Sequence, residues 1–440
     1  MKQLPQADGS STQGTADTVR TAGGFRSDKT AGITSTTSTT SGSASTHLSP
    51  TPIRGVNLGN WLVLEKWMEP ALFEGYPAED EDTLATVAPK DQLAQRIRHH
   101  RDTYITEQDF REIAACGMNL VRLPVPYTVF ESEPPLGGAW RYVDKAMRWA
   151  RAYHLRVLLD LHTAPGGQNG FDSSGLIGAV TWHKKPQNVE KAITVLEGLA
   201  HRYGHDPALF GIEVINEPVS WPVFFSNRKK LVARNPKDKR YSSYVPMSFL
   251  RQYYRATYKR LRRYLPDDKA IVFHDGFRFG LWRDFFKRNQ MTNVYVDAHV
   301  YLSAAERIAR VHSPWAYRLF LRWQRRRIRS MQRVVPVLVG EWCVENEWAK
   351  NLDPEEMNLD QFDDAQRRRF AHVTRMQLNC FGQAAGWMYW SWKLEPSPHT
   401  APDALWKECW DFRRCLMHGW LPSLRRPPAV HAAPHTASPS

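Results

Sequence analysis

The sequence has 440 residues, of which 42% are hydrophobic, and it carries a formal net charge of +14. This length allows one large domain or two ordinary ones, and the basic balance favours anionic partners without defining a fold. The five cysteines are scattered and form no Cys-x-x-Cys pair, which argues against a zinc site and a disulfide framework. No run of about 18 apolar residues is present, so we expect no membrane-spanning helix.

Both ends of the chain have the composition of segments that do not fold. Residues 1–47 are rich in Ser, Thr and Gly and nearly free of large apolar side chains, so burial cannot offset the entropy cost of ordering them. We predict that 1–47 is disordered, that 48–425 forms one domain, and that 426–440 is a flexible tail. The start of the chain lacks the apolar core of a secretory signal, which favours a cytoplasmic or peripheral membrane location over secretion.

Between these ends, short apolar runs alternate with stretches of helical periodicity. The runs predicted to be strands are Ile53–Leu58, Asn119–Val125, Arg156–Leu161, Phe210–Ile215, Ala270–His274, Val294–Val300, Val335–Gly340 and Gly386–Trp390. The predicted helices include Glu107–Ala115, Tyr142–Tyr153, Asn188–Tyr203, Phe249–Tyr264 and Asp364–Phe381. Eight strands that alternate with helices predict an α/β protein with a (β/α)₈ TIM barrel. The additional length in 69–104 and 221–246 is predicted to form loops over the upper rim.

Two glutamates follow strands that are far apart in the sequence. Glu217 comes shortly after the fourth predicted strand, and Glu341 ends the seventh. The carboxyl ends of barrel strands meet at one face, which is where catalysis occurs in this fold. Two carboxyl groups about 5–5.5 Å apart suit a retaining glycosidase, in which one protonates the leaving oxygen and the other attacks the sugar carbon. The pattern therefore predicts Glu217 as the acid/base and Glu341 as the nucleophile.

Other strand ends carry side chains that could support this pair. Arg122 and Tyr301 could keep Glu341 ionised, because a positive charge and a hydrogen-bond donor both favour a carboxylate. His162, Asn216 and His299 offer donors for sugar hydroxyls.

Taken singly, these residues have plain structural interpretations. A lone histidine is more often a core residue than a ligand, and Arg122 could form a structural ion pair. Trp390 could lie flat under a sugar ring, or it could be core filling. Asp160 and His162 could ligate a metal, but no third ligand is evident.

Taken together, the motifs resemble glycoside hydrolase family 5, a family of (β/α)₈ retaining glycosidases, and within it the fungal exo-β-1,3-glucanase group. The resemblance runs from about Arg54 to Lys393. The motifs that carry it are Arg54-Gly-Val-Asn-Leu-Gly-Asn-Trp61 with Leu64-Glu65, Val121-Arg-Leu-Pro124, Asp160-Leu-His-Thr-Ala-Pro-Gly-Gly-Gln-Asn-Gly-Phe-Asp-Ser-Ser-Gly175, Asn216-Glu-Pro218, His299-Val-Tyr301, Gly340-Glu-Trp342 and Trp390-Ser-Trp-Lys393.

The resemblance implies retaining cleavage of β-glucosidic bonds in a β-glucan or β-glucoside, without a metal or cofactor. It implies the same roles for Glu217 and Glu341. The residues that it implies for the first sugar subsite are Glu65, Arg122, His162, Asn216, His299, Tyr301 and Trp390. Phe171, beside Asp172, matches one half of an aromatic clamp at the pocket entrance, whereas 302–304 lacks the aromatic residue of the other half. Linkage, chain length, exo or endo action, and hydrolysis or transfer are left open.

The segment Glu306–Arg333 contains nine Arg and one Glu, interleaved with aromatic residues. One interpretation is a helix whose basic face rests on an anionic membrane surface or an acidic glycan. The other is the sixth barrel helix with an ordinary solvated face. The first would suit a glycosidase or transglycosylase of membrane glycolipid or periplasmic glucan. A glycan-binding barrel without catalysis is a further alternative, although both glutamates are present. No motif indicates a nucleic-acid partner, and nothing indicates the oligomeric state.

Overall fold

The computed structural model describes residues 52–133, 135–227, 229, 232–233, 235–310, 312–350, 364–395 and 404–424. The segments predicted to be disordered or flexible, 1–47 and 426–440, lie outside these residues. Eight parallel strands form a closed barrel in sequence order, and β8 pairs with β1. The strands are β1 (Ile53–Asn57), β2 (Leu120–Val125), β3 (Arg156–Leu161), β4 (Leu209–Glu213), β5 (Ala270–His274), β6 (Val294–His299), β7 (Val337–Glu341) and β8 (Gly386–Tyr389). The predicted (β/α)₈ barrel is confirmed.

Helices surround the barrel and connect its strands. They are α1 (Glu81–Val87), α2 (Lys90–Thr103), α3 (Glu107–Ala115), α4 (Trp140–Ala152), α5 (Pro186–Tyr203), α6 (Trp221–Asn227), α7 (Pro236–Lys239), α8 (Met247–Leu261), α9 (Arg283–Asn289), α10 (Leu302–Ala309), α11 (Pro314–Gln332), α12 (Glu347–Lys350), α13 (Asp364–Phe381), α14 (Ala404–Glu408) and α15 (Phe412–Met417). Short 3₁₀ turns occupy Pro70–Phe73, Asp172–Ser174, Trp182–Lys184 and Phe279–Leu281. The described helices include none long and apolar enough to cross a membrane.

The strands are buried on both faces, as expected for parallel strands enclosed by helices. One set of side chains fills the barrel interior: Ile53, Leu120, Leu158, Phe210, Ala270, Val272, Tyr295, Leu338 and Met388. The alternate side chains, such as Val121, Leu159 and Ile271, face outward and pack in a larger core with the helices. The buried polar side chains of the strands, such as Asn57, Asp160 and His274, lie toward the carboxyl ends, so the apolar floor forms a base for a polar mouth.

Two strands carry an extra residue relative to a neighbour. Between β3 and β4 the pairing steps from Val157↔Leu209 to Leu158↔Gly211. Between β6 and β7 it steps from Asp297↔Leu338 to His299↔Glu341. Such bulges re-aim the side chains that come after them. They act on the two strands that lead to Glu217 and Glu341.

The long connections after β1 and β4 contain helices, which corrects the prediction of loops. After β1, α1 and α2 form a small core of their own, which consists of Leu64, Leu72, Phe73, Ala78, Leu84, Ala88, Leu93 and Ile97. Asp80 caps α1 by accepting the Thr83 backbone N–H at 2.8 Å. After β4, the shorter helices α6 and α7 are present. The many charged residues between Glu81 and Thr103 hid the helical periodicity of α1 and α2.

Gly340 in β7 faces the carboxyl group of Asp297 in β6, and an added Cβ would overlap that group. We expect Gly340→Ala to lower the free energy of unfolding by about 1–3 kcal/mol or more, because neither strand can move away. Gly280 is the matched control, since a Cβ there meets nothing within 4 Å. Thermal or urea unfolding should show a clear loss for Gly340→Ala and little change for Gly280→Ala. Equal stability of the two variants would contradict this packing.

Candidate active site

The polar mouth of the barrel is organised around Arg122, whose side chain is fully buried in β2. Its Nε donates to Glu213 Oε2 at 2.8 Å. Its Nη1 donates to Asn57 Oδ1 at 3.0 Å and to Glu341 Oε1 at 2.9 Å. Its Nη2 donates to Asn216 Oδ1 at 2.9 Å and lies 3.2 Å from Asp160 Oδ2. One guanidinium in β2 therefore joins five residues from β1, β3, β7 and β4 with the segment that follows it.

The Arg122 guanidinium carries one positive charge and contacts three carboxyl groups. Burial alone would lower the pKa of Arg122, but the nearby charges of Asp160, Glu213 and Glu341 together raise it well above its usual range. Burial raises the pKa of Glu213 well above that of an ordinary Glu, although Arg122 opposes the rise. Because one positive charge cannot compensate three buried carboxylates, Glu213 is the carboxyl group that most readily holds a proton.

Glu217 and Glu341 meet at the imidazole of His299. His299 Nδ1 lies 2.7 Å from Glu217 Oε1 and 3.3 Å from Glu341 Oε2. Contact with one nitrogen keeps these two oxygens within one sugar's width, which accommodates the separation of about 5–5.5 Å between the carboxyl groups of retaining enzymes.

Glu217 has an unusual backbone. The fourth strand ends at Glu213, earlier than predicted, and Asn216 continues beside β3 by donating its N–H to Leu161 O at 2.9 Å. Glu217 then adopts a left-handed backbone with φ of 45°. This region is uncommon for a residue with a side chain, and such residues cluster at functional sites. The turn aims the Glu217 carboxyl group across the mouth.

Both nitrogens of His299 face carboxylates, which favours the imidazolium. Burial opposes the charge, but Glu341 and Asp297 outweigh burial and raise the pKa of His299 well above its usual value. Asp297 Oδ2 lies 3.3 Å from His299 Nε2. Burial would raise the pKa of Asp297, but His299 and Arg122 hold it below the usual range.

Glu341 accepts hydrogen bonds from Arg122 and Tyr301 and forms an ion pair with His299. The Tyr301 hydroxyl donates to Glu341 Oε2 at 2.9 Å. Burial raises the pKa of Glu341, and the charges of His299 and Arg122 oppose that rise. The same donors also fix the orientation of both carboxylate oxygens.

His162 and Trp390 form one wall of the mouth. Their rings stack with centroids 5.5 Å apart and planes inclined by 9°. His162 Nδ1 lies 2.5 Å from Asp160 Oδ2, and its Nε2 lies 3.4 Å from Asn216 Nδ2. The Asp160/His162 pair considered as a metal site is thus a hydrogen-bonded pair in which Arg122 also contacts the carboxylate.

Glu65, Phe171 and Asp172 lie on loops at the side of the mouth. Glu65 is buried, accepts from Trp67 Nε1 at 2.9 Å, and leaves its Oε1 without a partner among the described residues. Burial and the charge of Asp172 raise the pKa of Glu65 well above its usual value, and Glu341 and Glu217 add to this. Burial also raises the pKa of Asp172. Glu65 and Asp172 are therefore close enough to the catalytic glutamate candidates for their charges to interact.

Several residues of the mouth were missed in the sequence. Asn57, Glu213, Asp297 and His274 all face it. Two of them had a signal in the sequence, since Asn57 lies within the first motif and Asp297 lies two residues before His299. His274 Nδ1 accepts the Gly276 N–H at 3.0 Å. Burial and the neighbouring His299 lower its pKa well below the usual value. It is therefore a neutral imidazole.

An aromatic group beside Tyr301 was also missed. The Tyr301 ring lies 5.2 Å from that of Trp410, and Trp67 lies 5.4 Å from Trp410 and 5.7 Å from Trp406. These rings come from the first loop and from the end of the domain. No local pattern connects them to the strand residues.

Two groups of side chains have the composition of a metal site. The ligand atoms of Glu217, His274 and His299 lie within 4.8 Å of one another, as do those of Glu213, Asp297 and His299. His299 belongs to both groups, and both its nitrogens are engaged by carboxylates. Its raised pKa favours the protonated ring, which cannot ligate a metal. The contacts of His299 with Glu217 and Asp297 therefore account for its place in both groups.

A barrel with a carboxylate-lined, hydrogen-bonded mouth is the architecture of a glycosidase, and comparison with known proteins places it more narrowly. The model of the cellulase family, glycosyl hydrolase family 5, matches residues 86–395. The chain belongs to this family and is an enzyme of the glycosidase class.

Its relatives include fungal glucosidases. It is 32% identical over 412 residues to a "Probable glucan 1,3-beta-glucosidase A" of Emericella nidulans, with 84% of this chain and 90% of the relative covered. It is 28% identical to a "Glucan 1,3-beta-glucosidase" of Blumeria graminis, with 84% and 86% covered. The crystal structure of a rutinosidase from Aspergillus niger superposes with a TM-score of 0.62 at 20% identity, covering 84% of this chain and 97% of that one. This last likeness concerns the fold.

Replacing Arg122 by Met should leave three buried carboxylates without their counter-charge. We expect a loss of about 3–5 kcal/mol in the free energy of unfolding near neutral pH. The loss should shrink as the pH falls, because the carboxyl groups, whose pKa values rise without Arg122, then become neutral. The control is Arg151→Met, which breaks an exposed pair with Asp206 and should cost at most about 1 kcal/mol. Urea unfolding at several pH values measures both, and a loss for Arg122→Met independent of pH would contradict the charge argument.

Proposed function

We propose that the chain is a retaining β-glucosidase that cleaves β-glucosidic bonds in a β-glucan or β-glucoside. The observation that carries this proposal is the contact of Glu217 and Glu341 with one nitrogen of His299, which holds two carboxyl groups within one sugar's width. The names of the fungal relatives support a glucan with 1,3 linkages as the first substrate to test.

In the first half of the reaction, Glu341 attacks the anomeric carbon and Glu217 gives its proton to the leaving oxygen. Arg122, Tyr301 and His299 keep Glu341 oriented and stabilise its charge until the bond to the sugar forms. Glu217 and Glu341 both contact the His299 imidazole, and the proton on His299 Nδ1 lies beside Glu217. This hydrogen bond fixes the position of the Glu217 carboxyl group, which recovers its proton from water in the second half of the reaction.

In the second half, Glu217 accepts a proton from water, and the water oxygen displaces Glu341 from the anomeric carbon. The product keeps the configuration of the substrate, and the free enzyme is regenerated. Asn216 and His162 offer side-chain nitrogen atoms toward the sugar hydroxyls, and the indole of Trp390 offers a flat apolar surface. The Oε1 atom of Glu65, which has no partner among the described residues, is available to a further sugar hydroxyl.

The two glutamates should fail in different ways when replaced. Glu341→Gln should lower kcat for every β-glucoside by about 10³-fold or more, because no covalent intermediate can form. Glu217→Gln should slow release of a poor leaving group such as an alkyl alcohol by about 10²–10⁴-fold, while 2,4-dinitrophenolate, which needs no proton, still departs in a burst. Glu131→Gln, on an exposed pair with Lys191, is the control. Wild-type turnover by either active-site variant would overturn the roles.

A second candidate function is the cleavage of glucosides at an anionic membrane surface, and helix α11 favours it. Trp315, Leu319 and Trp323 repeat every fourth residue and are 67%, 46% and 52% exposed. Arg318, Arg322, Arg325, Arg326 and Arg329 are exposed around this stripe. The opposite face, which includes Tyr317, Leu321 and Ile328, packs in the core. A helix with aromatic residues among arginines is typical of interfacial membrane binding.

Arg327 differs from the exposed arginines of α11. Its guanidinium lies 4.2 Å from the Trp323 ring and 5.2 Å from the Phe279 ring. A variant with Arg318, Arg322 and Arg326 changed to Glu therefore leaves the packing intact. We expect wild-type protein to sediment with vesicles that contain anionic lipid, and the variant to remain in the supernatant, since each arginine near the surface contributes about 1 kcal/mol. Vesicles without anionic lipid are the control, and equal sedimentation of both proteins would remove this candidate.

A further inference from the structure

A cavity of about 460 Å³ adjoins the mouth of the barrel. One wall is the loop after β3, which also carries Phe171 and Asp172, and the other is the segment after β4, which begins directly after Glu217 and Pro218. Phe171 lines the cavity. Burial raises the pKa of its neighbour Asp172, and Glu217 lies close enough for its charge to raise that pKa further. The cavity therefore lies beside the carboxyl group that would protonate a leaving oxygen.

Hydrogen bonds fix the two walls to the active site. Gln168 Nε2 donates to His162 O at 2.7 Å and to Asn216 O at 3.1 Å. The Val219 N–H donates to Gln168 O at 3.1 Å. Gln168 is fully buried, so it sets the position of the cavity relative to Asn216 and its neighbour Glu217. A ligand in the cavity is held at a defined distance from the catalytic pair.

The walls are mostly apolar. The side chains that form them are Phe171, Val180, Val219, Val223, Phe224 and Val232. A second sugar unit would bury several hydroxyl groups against these side chains without hydrogen-bond partners, which opposes binding. An aromatic or other apolar group would instead gain from leaving water. The volume falls in the range of about 300–1,000 Å³ typical of small-molecule sites.

The polar atoms that remain in the cavity are donors and cations. Asn169 is buried, its Oδ1 accepts the Phe171 N–H at 2.8 Å, and its Nδ2 has no partner among the described residues. Lys229 and Lys239 line the cavity and are exposed. Ser242 is already engaged, since its Oγ accepts the Val180 N–H at 3.0 Å. These side chains favour a ligand that contains a hydrogen-bond acceptor, and the two lysines favour a ligand with a negative charge.

We propose that this cavity binds the leaving group of the substrate, and that this group is an aromatic alcohol that carries a carboxylate. The inference rests on the proposed function, since Glu217 would protonate the oxygen that links the sugar to the aromatic ring. The ring occupies the apolar walls, and the carboxylate faces Asn169 and the two lysines. The substrate class is then the β-glucoside of an acidic phenol, and a glucan binds this side less well.

Two neighbouring phenylalanines provide the test. Phe224 lines the cavity, whereas Phe225 is exposed and is not among its lining residues. We expect Phe224→Asn to lower kcat/KM for the β-glucoside of 6-hydroxy-2-naphthoate by about tenfold or more, and Phe225→Asn to change it by less than about twofold. β-Glucosyl fluoride has a leaving group too small to use the cavity, so both variants should hydrolyse it like the wild type.

The charge component is tested by a second pair of substrates. The double variant with Lys229→Gln and Lys239→Gln should lower kcat/KM for the naphthoate glucoside by about two- to fivefold and leave that for its methyl ester unchanged. Binding of free 6-hydroxy-2-naphthoate, followed by its fluorescence, should weaken in Phe224→Asn and in the lysine variant. This second readout needs no turnover, and the surface lysines can be changed without affecting folding.

The possible outcomes distinguish the cavity assignment from the glucosidase activity. Normal hydrolysis of the fluoride with unchanged naphthoate kinetics and binding in Phe224→Asn would overturn the cavity assignment and leave the glucosidase intact. A wild-type protein that does not hydrolyse the fluoride would overturn the proposed function. Stronger turnover of a 1,3-linked glucosyl disaccharide than of the naphthoate glucoside would assign the leaving-group side to a sugar and so contradict the inference.

Discussion

The buried guanidinium of Arg122 is the constraint on which the rest of the mouth depends. A charge without contact to water is tolerated only when it is paired and fully hydrogen-bonded, and the partners of Arg122 come from β1, β3, the end of β4 and β7. These strands take their final positions only when β8 closes the barrel against β1. The same closure that buries the apolar floor therefore completes the charge pairing, and the reacting groups are oriented as a consequence of folding.

A second constraint is the number of negative charges in this small volume. Asp160, Glu213, Asp297 and Glu341 are all buried, and Arg122 and the protonated His299 are the cations that contact them. Such a group is stable only if protons are unevenly distributed, and the raised pKa of Glu213 and the lowered pKa of Asp297 show that distribution.

The sequence predicts the barrel well because its signals are local. Apolar runs such as Arg156–Leu161 and Ala270–His274 are confirmed with the predicted bounds, and helices Glu107–Ala115 and Asp364–Phe381 are as predicted. Glu213 was missed for a physical reason. Simple alternation from Phe210 would place Ile212 in the barrel and Glu213 outside, but the bulge at Phe210 reverses the facing of the later residues in β4. No pattern in the sequence predicts the bulge at this position.

Contacts between distant loops are a second limit of sequence reasoning. The sequence shows that 302–304 lacks an aromatic residue after Tyr301, and it suggests an open side to the pocket. In the structure the ring beside Tyr301 is that of Trp410, which arrives from the end of the domain. Trp67 and Trp406 extend the same wall. Periodicity and motif spacing describe neighbours along the chain, so a wall assembled from the first loop and the last helices is visible only after folding.

This division between strands and loops also bears on substrate choice. The residues that we propose surround one sugar, such as Arg122, Glu341 and His299, lie on strands of a closed barrel and cannot be moved without cost to the fold. The residues that we propose face the leaving group, such as Phe171 and Phe224, lie on connections whose length and composition are far less restricted. Membership of a glycosidase family is therefore strong evidence for the sugar side of the reaction and weak evidence for the leaving group. Because rate depends on contacts that the substrate makes away from the reacting atoms as well as at them, the apolar, cationic loops of this chain carry as much information about its substrate as the carboxylates do.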